Sequence, residues 1–291
     1  MNICVYGKKF DPQYAAEVVT LLDNLIGRGA RLRVYDRFYR FLTEHTSIRR
    51  DLAVFTRDED LRGSEFVVSI GGDGTLLDCA RIVGGLEIPV LGINTGRLGF
   101  LSTVGLPESQ AAIEAIYAGS YHVDRRSMIQ VACNQVDLGE RPYALNEVSI
   151  LNKDRNSMVR IHTHVNGIFM NTYWADGLIV STPTGSTAYS LSCGGPIVTP
   201  DSETFVLTPI AAHNLTVRPV IISDRHTITL RAEGRSPSFL LTMDSGHVQI
   251  GPDATIELSL APFRFHLVSL GGADFFQTIR SKMGWGADKR N

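Results

Sequence analysis

The 291-residue sequence has no closely spaced cysteine pair, no excess of charge of either sign and no apolar run long enough to span a bilayer. Its four cysteines, Cys4, Cys79, Cys133 and Cys193, lie far apart with no C-x-x-C spacing. That supports neither a disulfide scaffold nor a thiolate metal site and predicts four buried, small apolar side chains. Against 30 acidic residues stand 28 basic ones, so no broad positive field is available to attract nucleic acid or an anionic membrane surface. No stretch approaches the ~20 apolar residues of a spanning helix. The apolar segment at Met1–Gly7 is too short and too uncharged at its front for a signal peptide, and the expected location is the cytoplasm. A Walker A sequence, G-x-x-x-x-G-K followed by Ser or Thr, is missing, and the stretch Gly92-Ile93-Asn94-Thr95-Gly96-Arg97-Leu98-Gly99 does not fit G-x-G-x-x-G. There is no internal repeat, low-complexity tract or long linker, and the length suits two domains.

The most informative segment is Phe66-Val67-Val68-Ser69-Ile70 followed by Gly71-Gly72-Asp73-Gly74-Thr75-Leu76-Leu77. A β-branched apolar run reads as a buried strand, and Leu76, Leu77, Ala80 and Val83 recur at helical spacing, with the helix beginning at Thr75. Glycines between strand and helix leave backbone N–H groups uncovered at the positive end of the helix dipole, which suits a phosphate chain. Asp73 is out of place in such a cradle unless it accepts a proton, holds a metal or orients a hydroxyl. A tight turn with a satisfied Asp is the alternative.

Up to about residue 118 strands and helices alternate: strand-like at Asn2–Tyr6, Leu32–Tyr35, Phe66–Ile70 and Val90–Ile93, helical at Gln13–Ile26 and Pro107–Ala118. The pattern predicts an α/β domain, 1–118, with a doubly wound parallel sheet whose ligands sit at the carboxyl ends of the strands. From Tyr121 to about Leu270 short strand-like runs dominate: Met128–Ala132, Val148–Leu151, Met158–Val165, Gly177–Ser181, Phe205–Leu207, Val217–Ile222, Thr227–Ala232, Phe239–Met243, Thr255–Leu260 and Phe265–Leu270. They predict an all-β, sandwich-like antiparallel domain over 119–270. In the tail, 271–291, Phe275, Ile279 and Met283 share one face of a terminal helix running from Asp274. With no long linker, the two domains are expected to meet and form a cleft.

A second chemical cluster runs from Asp176 through Gly177-Leu178-Ile179-Val180-Ser181-Thr182-Pro183-Thr184-Gly185-Ser186-Thr187-Ala188-Tyr189-Ser190. An acid, an apolar strand and a hydroxyl-rich turn can hold a ribose or pyrophosphate, and Tyr189 can stack on a ring. An ordinary loop with local hydrogen bonds is the competing reading. Asn146-Glu147, just before a strand, offers an amide and a carboxylate to a ribose or else serves as a cap or turn. His162 and His164 share a strand face, but no third ligand is placed and a structural or surface role is favoured. His213 is a further candidate contact.

Gly71-Gly72-Asp73-Gly74-Thr75, Asn146-Glu147, the run Asp176–Pro196 and Asp244, in this order and spacing, strongly resemble the bacterial NAD kinase family over nearly the whole chain. GGDGT alone is also found in phosphofructokinases and lipid kinases; DGLIVSTPTGSTAYSLSCGGPI is far more specific. The resemblance implies phosphorylation of the 2′-hydroxyl of the adenosine ribose of NAD by ATP or polyphosphate, with Mg²⁺ or another divalent cation held mainly by donor phosphates. It makes Asp73 the proton acceptor and Gly71, Gly72, Gly74 and Thr75 the phosphate turn. Asn146, Glu147, Asp176 and Asp244 become polar contacts for NAD; Thr187, Ala188, Tyr189, Ser190, Leu191 and Ser192 the loop around its adenosine and ribose; and Ser157, Trp174, Ala211 and Gly246 further lining. Trp174 stands where relatives restricted to NAD often carry Arg, and Asp244-Ser245-Gly246 where Asp-x-Gln is common, with His247 as the nearest substitute. A homodimer or homotetramer is implied. The alternatives are a non-catalytic dinucleotide sensor, which has no use for Asp73, and a lipid or sugar kinase, which lacks the second cluster.

Overall fold

The structure, a computed structural model, describes residues 1–48, 51–56, 61–96, 99–102, 104–153, 158–271 and 275–284. Two compact units are present: residues 1–79, 88–124 and the C-terminal segment from His266 form one, and residues 80–87 and 125–265 the other.

In chain order the first unit supplies β1 (Asn2–Gly7), α1 (Ala15–Gly27), β2 (Arg31–Tyr35), α2 (Asp36–His45), β3 (Ala53–Phe55) and β4 (Phe66–Ile70). Helix α3 (Asp73–Val83), whose residues from Ala80 on belong to the second unit, follows, then β5 (Val90–Asn94), β6 (Val104–Gly105), α4 (Ser109–Tyr117) and β7 (Tyr121–Arg126), whose last two residues also belong to the second unit. The strands of the second unit are β8 (Ile129–Cys133), β9 (Tyr143–Ala144), β10 (Glu147–Asn152), β11 (Val159–Val165), β12 (Ile168–Ala175) and β13 (Gly177–Ser181). After a short helix α5 (Tyr189–Ser192) come β14 (Thr204–Ile210), β15 (Val220–Ser223), β16 (Ile228–Glu233), β17 (Phe239–Met243), β18 (Gly246–Ile250) and β19 (Thr255–Leu260). The chain then returns to the first unit with β20 (Phe265–Leu270) and α6 (Phe275–Met283).

The first sheet runs β3-β2-β1-β4-β5-β20-β7, with β6 beside β5. Its pairs β1/β2, β1/β4, β2/β3, β4/β5, β5/β6 and β5/β20 are parallel. Every residue of β4 and β5 is buried, as in strands covered on both faces by helices. One face packs Ile3, Val5, Val34 and Val68 against Val18, Leu22 and Leu25 of α1 and Phe38 and Leu42 of α2. The doubly wound α/β expectation holds. Helix α2 and the short strands β3 and β6 lie outside the expected pattern, α2 following β2 without an intervening turn residue; β7 and β20, from the segment expected to be antiparallel, also join this sheet, β20 pairing parallel with β5 at Leu267↔Val90. Alternating burial identifies a strand but not its neighbour.

The second unit has two six-stranded sheets, β15-β14-β13-β10-β17-β18 and β12-β11-β16-β19-β8-β9, whose pairs are antiparallel. Val148, Ile150, Leu178, Val180, Phe205 and Leu241 of the first share one core with Ile161, Tyr173, Leu230, Ile256 and Leu258 of the second, which is the expected sandwich. Strands β9, β12 and β18 lie outside the expected runs. Hairpin signals mark the last two: Asn166-Gly167 precedes β12, with Asn166 at φ 50°, and Asp244, at φ 49°, precedes β18.

Cys4 and Cys79 are buried as expected, but Cys133 and Cys193 are only partly so; none of the four forms a disulfide. In α6 only Ile279 is fully buried, while Phe276 and Met283 are exposed. Asp274, the expected start of that helix, lies outside the described residues.

Candidate functional site

In the first unit the site is built at the carboxyl end of β4. Gly71 has φ 145°, and a Cβ there would overlap the Thr75 side chain, so the sharp exit from the strand requires glycine. The helix starts at Asp73, two residues earlier than the turn composition implies, because the Gly72 carbonyl accepts from Thr75 N (2.9 Å) and Leu76 N (3.2 Å). Gly72 and Gly74 are exposed, with open space where a side chain would stand. Bare backbone at a helix N-terminus is what a phosphate group needs. Thr75 is buried.

Asp73 does not project freely. Oδ2 accepts from Phe100 N at 2.8 Å and Oδ1 from Ser102 N at 2.9 Å, with Leu101 N at 3.4 Å from both. These donors follow directly on the Gly-rich stretch Gly92–Gly99, which the sequence places at the carboxyl end of a parallel strand; Arg97 and Leu98 lie outside the described residues. The nearest sequence signal for them was a second glycine-rich turn at a parallel strand's carboxyl end.

In the second unit Asp244 organises the approach to β10. Its carboxylate accepts from Leu145 N (2.8 Å), Asn146 N (2.8 Å) and Glu147 N (3.1 Å), and its own N–H donates to Glu147 O (3.0 Å). Thr182 clamps the same segment: its Oγ1 donates to Leu145 O at 2.6 Å and its N–H to Asn146 O at 2.9 Å. A Cβ at Gly185 would overlap the Asn146 backbone. With the backbone so fixed, Asn146 Oδ1 and Glu147 Oε2 remain buried without hydrogen-bond partners, a state that costs about 1–3 kcal/mol for each group. Burial and then the charge of Asp244 push the Glu147 carboxyl up to about 8, the backbone N–H of Tyr189 pulling the other way. The Tyr189 phenol is raised by burial and by Cys193, Asp176 and Glu147. The unit therefore gathers Asn146, Glu147, Asp176, Tyr189 and Asp244 into one acidic cluster.

The hydroxyl-rich turn divides in two. Ser186 Oγ donates to Pro183 O at 2.7 Å and accepts from Val198 N at 3.0 Å, while Ser190 Oγ pairs with Thr208 Oγ1 at 2.8 Å. These buried groups hold the loop, as the competing reading had it. Thr187, Ala188 and Leu191 are half-buried and Tyr189 and Ser192 exposed. Asp176 is exposed, its backbone extending the ladder through Asp176 N to Ile210 O at 3.0 Å. Trp174 is 53% exposed, its ring 5.4 Å from that of His213, and exposed Ala211 holds φ 47°. At Gly246 a Cβ would sit 3.7 Å from Arg81 Nη1, a cation the sequence reading overlooked. Ser157 lies outside the described residues. His162 is structural: Nε2 meets Glu233 Oε2 at 2.7 Å and Nδ1 meets Thr172 Oγ1 at 3.0 Å. Among the described residues no group of three or more His, Cys, Asp or Glu is placed to hold a metal ion, and no helix is long and apolar enough to cross a membrane.

A bare helix N-terminus with a carboxylate in its first turn, and a sandwich presenting unpaired polar acceptors, define a nucleotide-handling enzyme of two folded units. The family models described as the ATP-NAD kinase N-terminal domain and the ATP-NAD kinase C-terminal domain match residues 15–121 and 145–270. Curated NAD kinases of Bacteroides fragilis and Cytophaga hutchinsonii are 43% identical over 295 residues and 39% identical over 292, each alignment covering 100% of both chains. The chain belongs to the NAD kinase family. Its fold is that of yeast NADH kinase complexed with NADH (TM-score 0.89, 21% identity, 99% of this chain and 88% of that one). A second such structure is an NAD kinase from Archaeoglobus fulgidus in complex with ATP (TM-score 0.74, 24% identity, 98% and 99%).

Proposed function

We propose that the protein transfers the terminal phosphoryl group of ATP to the 2′-hydroxyl of the adenosine ribose of NAD, giving ADP and NADP. Family membership makes it a kinase, a phosphotransferase acting on NAD with ATP; the alcohol acceptor is the finer assignment. The observation that carries it is the pair of buried, partnerless acceptors, Asn146 Oδ1 and Glu147 Oε2, to which the hydroxyls and amide donors of a dinucleotide would donate. Asp176 and Asp244 add acceptor character, Asp244 by holding the backbone of residues 145–147. Thr187–Ser192 and Trp174, Ala211 and Gly246 would line the same ligand; Ser157 is assigned to this lining on the resemblance alone.

Gly71, Gly72, Gly74 and Thr75 would receive the donor phosphates. Asp73 would orient the attacking hydroxyl and take its proton late, as the new phosphorus–oxygen bond forms, which suits a loose transition state in which positioning carries most of the acceleration. A divalent cation, Mg²⁺ by preference, would arrive on the donor phosphates, whose charge it offsets. We further assign the enzyme to the cytoplasm as a homodimer or homotetramer. Turnover of NAD with ATP and Mg²⁺, read as NADP formation, tests the reading; NAD binding without turnover makes the protein a sensor, and neither binding nor turnover removes the NAD assignment.

A further inference from the structure

We propose that the backbone of Gly99–Ser102 is a positioning element for Asp73, holding the carboxylate in the direction that the transfer requires. The inference rests on Asp73 being the proton acceptor. An acidic side chain in the first turn of a helix ordinarily bends back to its own helix N–H groups. The Asp73 carboxylate instead takes its bonds from Phe100 N and Ser102 N, 27 and 29 residues along the chain, one to each oxygen. Two donors on two oxygens fix rotation of the carboxylate as well as its place. Leu101 N, 3.4 Å from both oxygens, adds a longer shared donor; with two lone pairs on each oxygen, the carboxylate keeps acceptor capacity for a hydroxyl. The donors are themselves set by a turn in which Gly99 N donates to Ser102 O at 3.2 Å. Gly99 is the pivot: a Cβ at this position would overlap Oδ1, Cγ and Oδ2 of Asp73, so the loop reaches the carboxylate only because residue 99 has no side chain.

A merely structural staple between loop and helix would show itself in folding or substrate binding, whereas a positioning role shows itself in kcat through Asp73. Gly99→Ala should lower single-turnover NADP formation about 100-fold, the scale of a displacement of about 1 Å in a reacting group, with KM for NAD and for ATP within threefold. In an Asp73→Ala background the space is vacated, and adding Gly99→Ala should change the residual rate less than threefold. Where Gly99→Ala does not fold, replacing Phe100 by its α-hydroxy acid removes only the N–H donor and should lower kcat about tenfold with both KM values held. A Gly99→Ala or ester enzyme within threefold of the parent kcat, an equal loss in both backgrounds, or a loss carried by KM overturns the inference. An Asp73→Ala enzyme within threefold of the parent rejects the base assignment itself, a separate outcome from an inactive Asp73→Ala beside an active Gly99→Ala.

Discussion

Glu147 should make the protein less stable as pH rises from about 5 to about 8, and Glu147→Gln should abolish that loss. In the unfolded chain the carboxyl ionises near 4.5; in the fold, burial and Asp244 push it up to about 8. Between these values the folded state holds a proton that the unfolded state has released, so the slope of unfolding free energy against pH is negative there and flattens above about 8. The interval from 4.5 to about 8, at about 1.4 kcal/mol for each factor of ten, sets a ceiling of about 5 kcal/mol. The carboxyl is only partly enclosed, and screening by nearby water reduces the working figure to about 2 kcal/mol. Gln keeps the shape, carries no charge to bury and offers Asp244 a donor. The melting temperatures of parent and variant, followed by calorimetry, should coincide near pH 4.5. By pH 8.5 they should differ by about 4–8 °C in favour of Gln, at about 2–4 °C per kcal/mol for a chain of this class. A gap that stays constant over the whole range, or one that closes as pH rises, would refute the reasoning. The same protonation predicts that NAD binding near pH 7 expels a proton from the parent and none from the variant, because a ribose hydroxyl donates to the ionised carboxylate; titration calorimetry in buffers of different ionisation enthalpy measures the difference.

Much of this architecture is legible in the sequence because its signals are local. Strand β4 declares itself as a β-branched run ending at Gly71 and β5 as a short apolar run ahead of a second glycine-rich turn, and the short strand-like runs over β10, β11, β16 and β19, set apart by turn residues, mark a sandwich. What escapes is non-local. Tyr35 closes β2 and Asp36 opens α2 with no turn residue between them, so nothing punctuates the change of period. The sheet that β20 joins is decided by chain topology, not by Phe265 or Leu267 themselves. The site shows the same division. Asn146, Glu147 and Asp176 stand out in the sequence as candidate contacts by residue type, whereas the bonds of the Asp244 oxygens to backbone N–H groups 97 to 99 residues earlier are announced by no residue type. The partners of Asp73 are likewise backbone donors, which leave no mark on residue identity. A pattern of side chains therefore identifies which carboxylates matter better than it separates those that touch ligand from those that hold the backbone in place.

Asn146→Ala and Asp176→Ala should each weaken NAD binding by about 1.5–3 kcal/mol, with the neutral amide nearer the lower end; unchanged affinity in both, by titration, removes them from the site. Trp174→Arg replaces an exposed indole beside His213 with a guanidinium, so it should alter the kcat/KM ratios for NAD against NADH and for ATP against polyphosphate while stability stays within about 0.5 kcal/mol; identical ratios exclude Trp174 from specificity. Asp73→Asn separates chemistry from binding. An amide cannot accept at both ends, so either Phe100 N or Ser102 N must face an NH₂ group, and the loss of one bond should cost about 1–2 kcal/mol of stability. Without a group to take the hydroxyl proton, kcat should fall by about 10²–10⁴-fold, while affinity for NAD and ATP holds or tightens slightly as repulsion with the phosphates is relieved. Single-turnover NADP formation, equilibrium binding and a melting curve read the three effects separately. A variant that melts lower and binds normally, yet turns over within threefold of the parent, would show that Asp73 is only the anchor for the loop and that the proton leaves by another route.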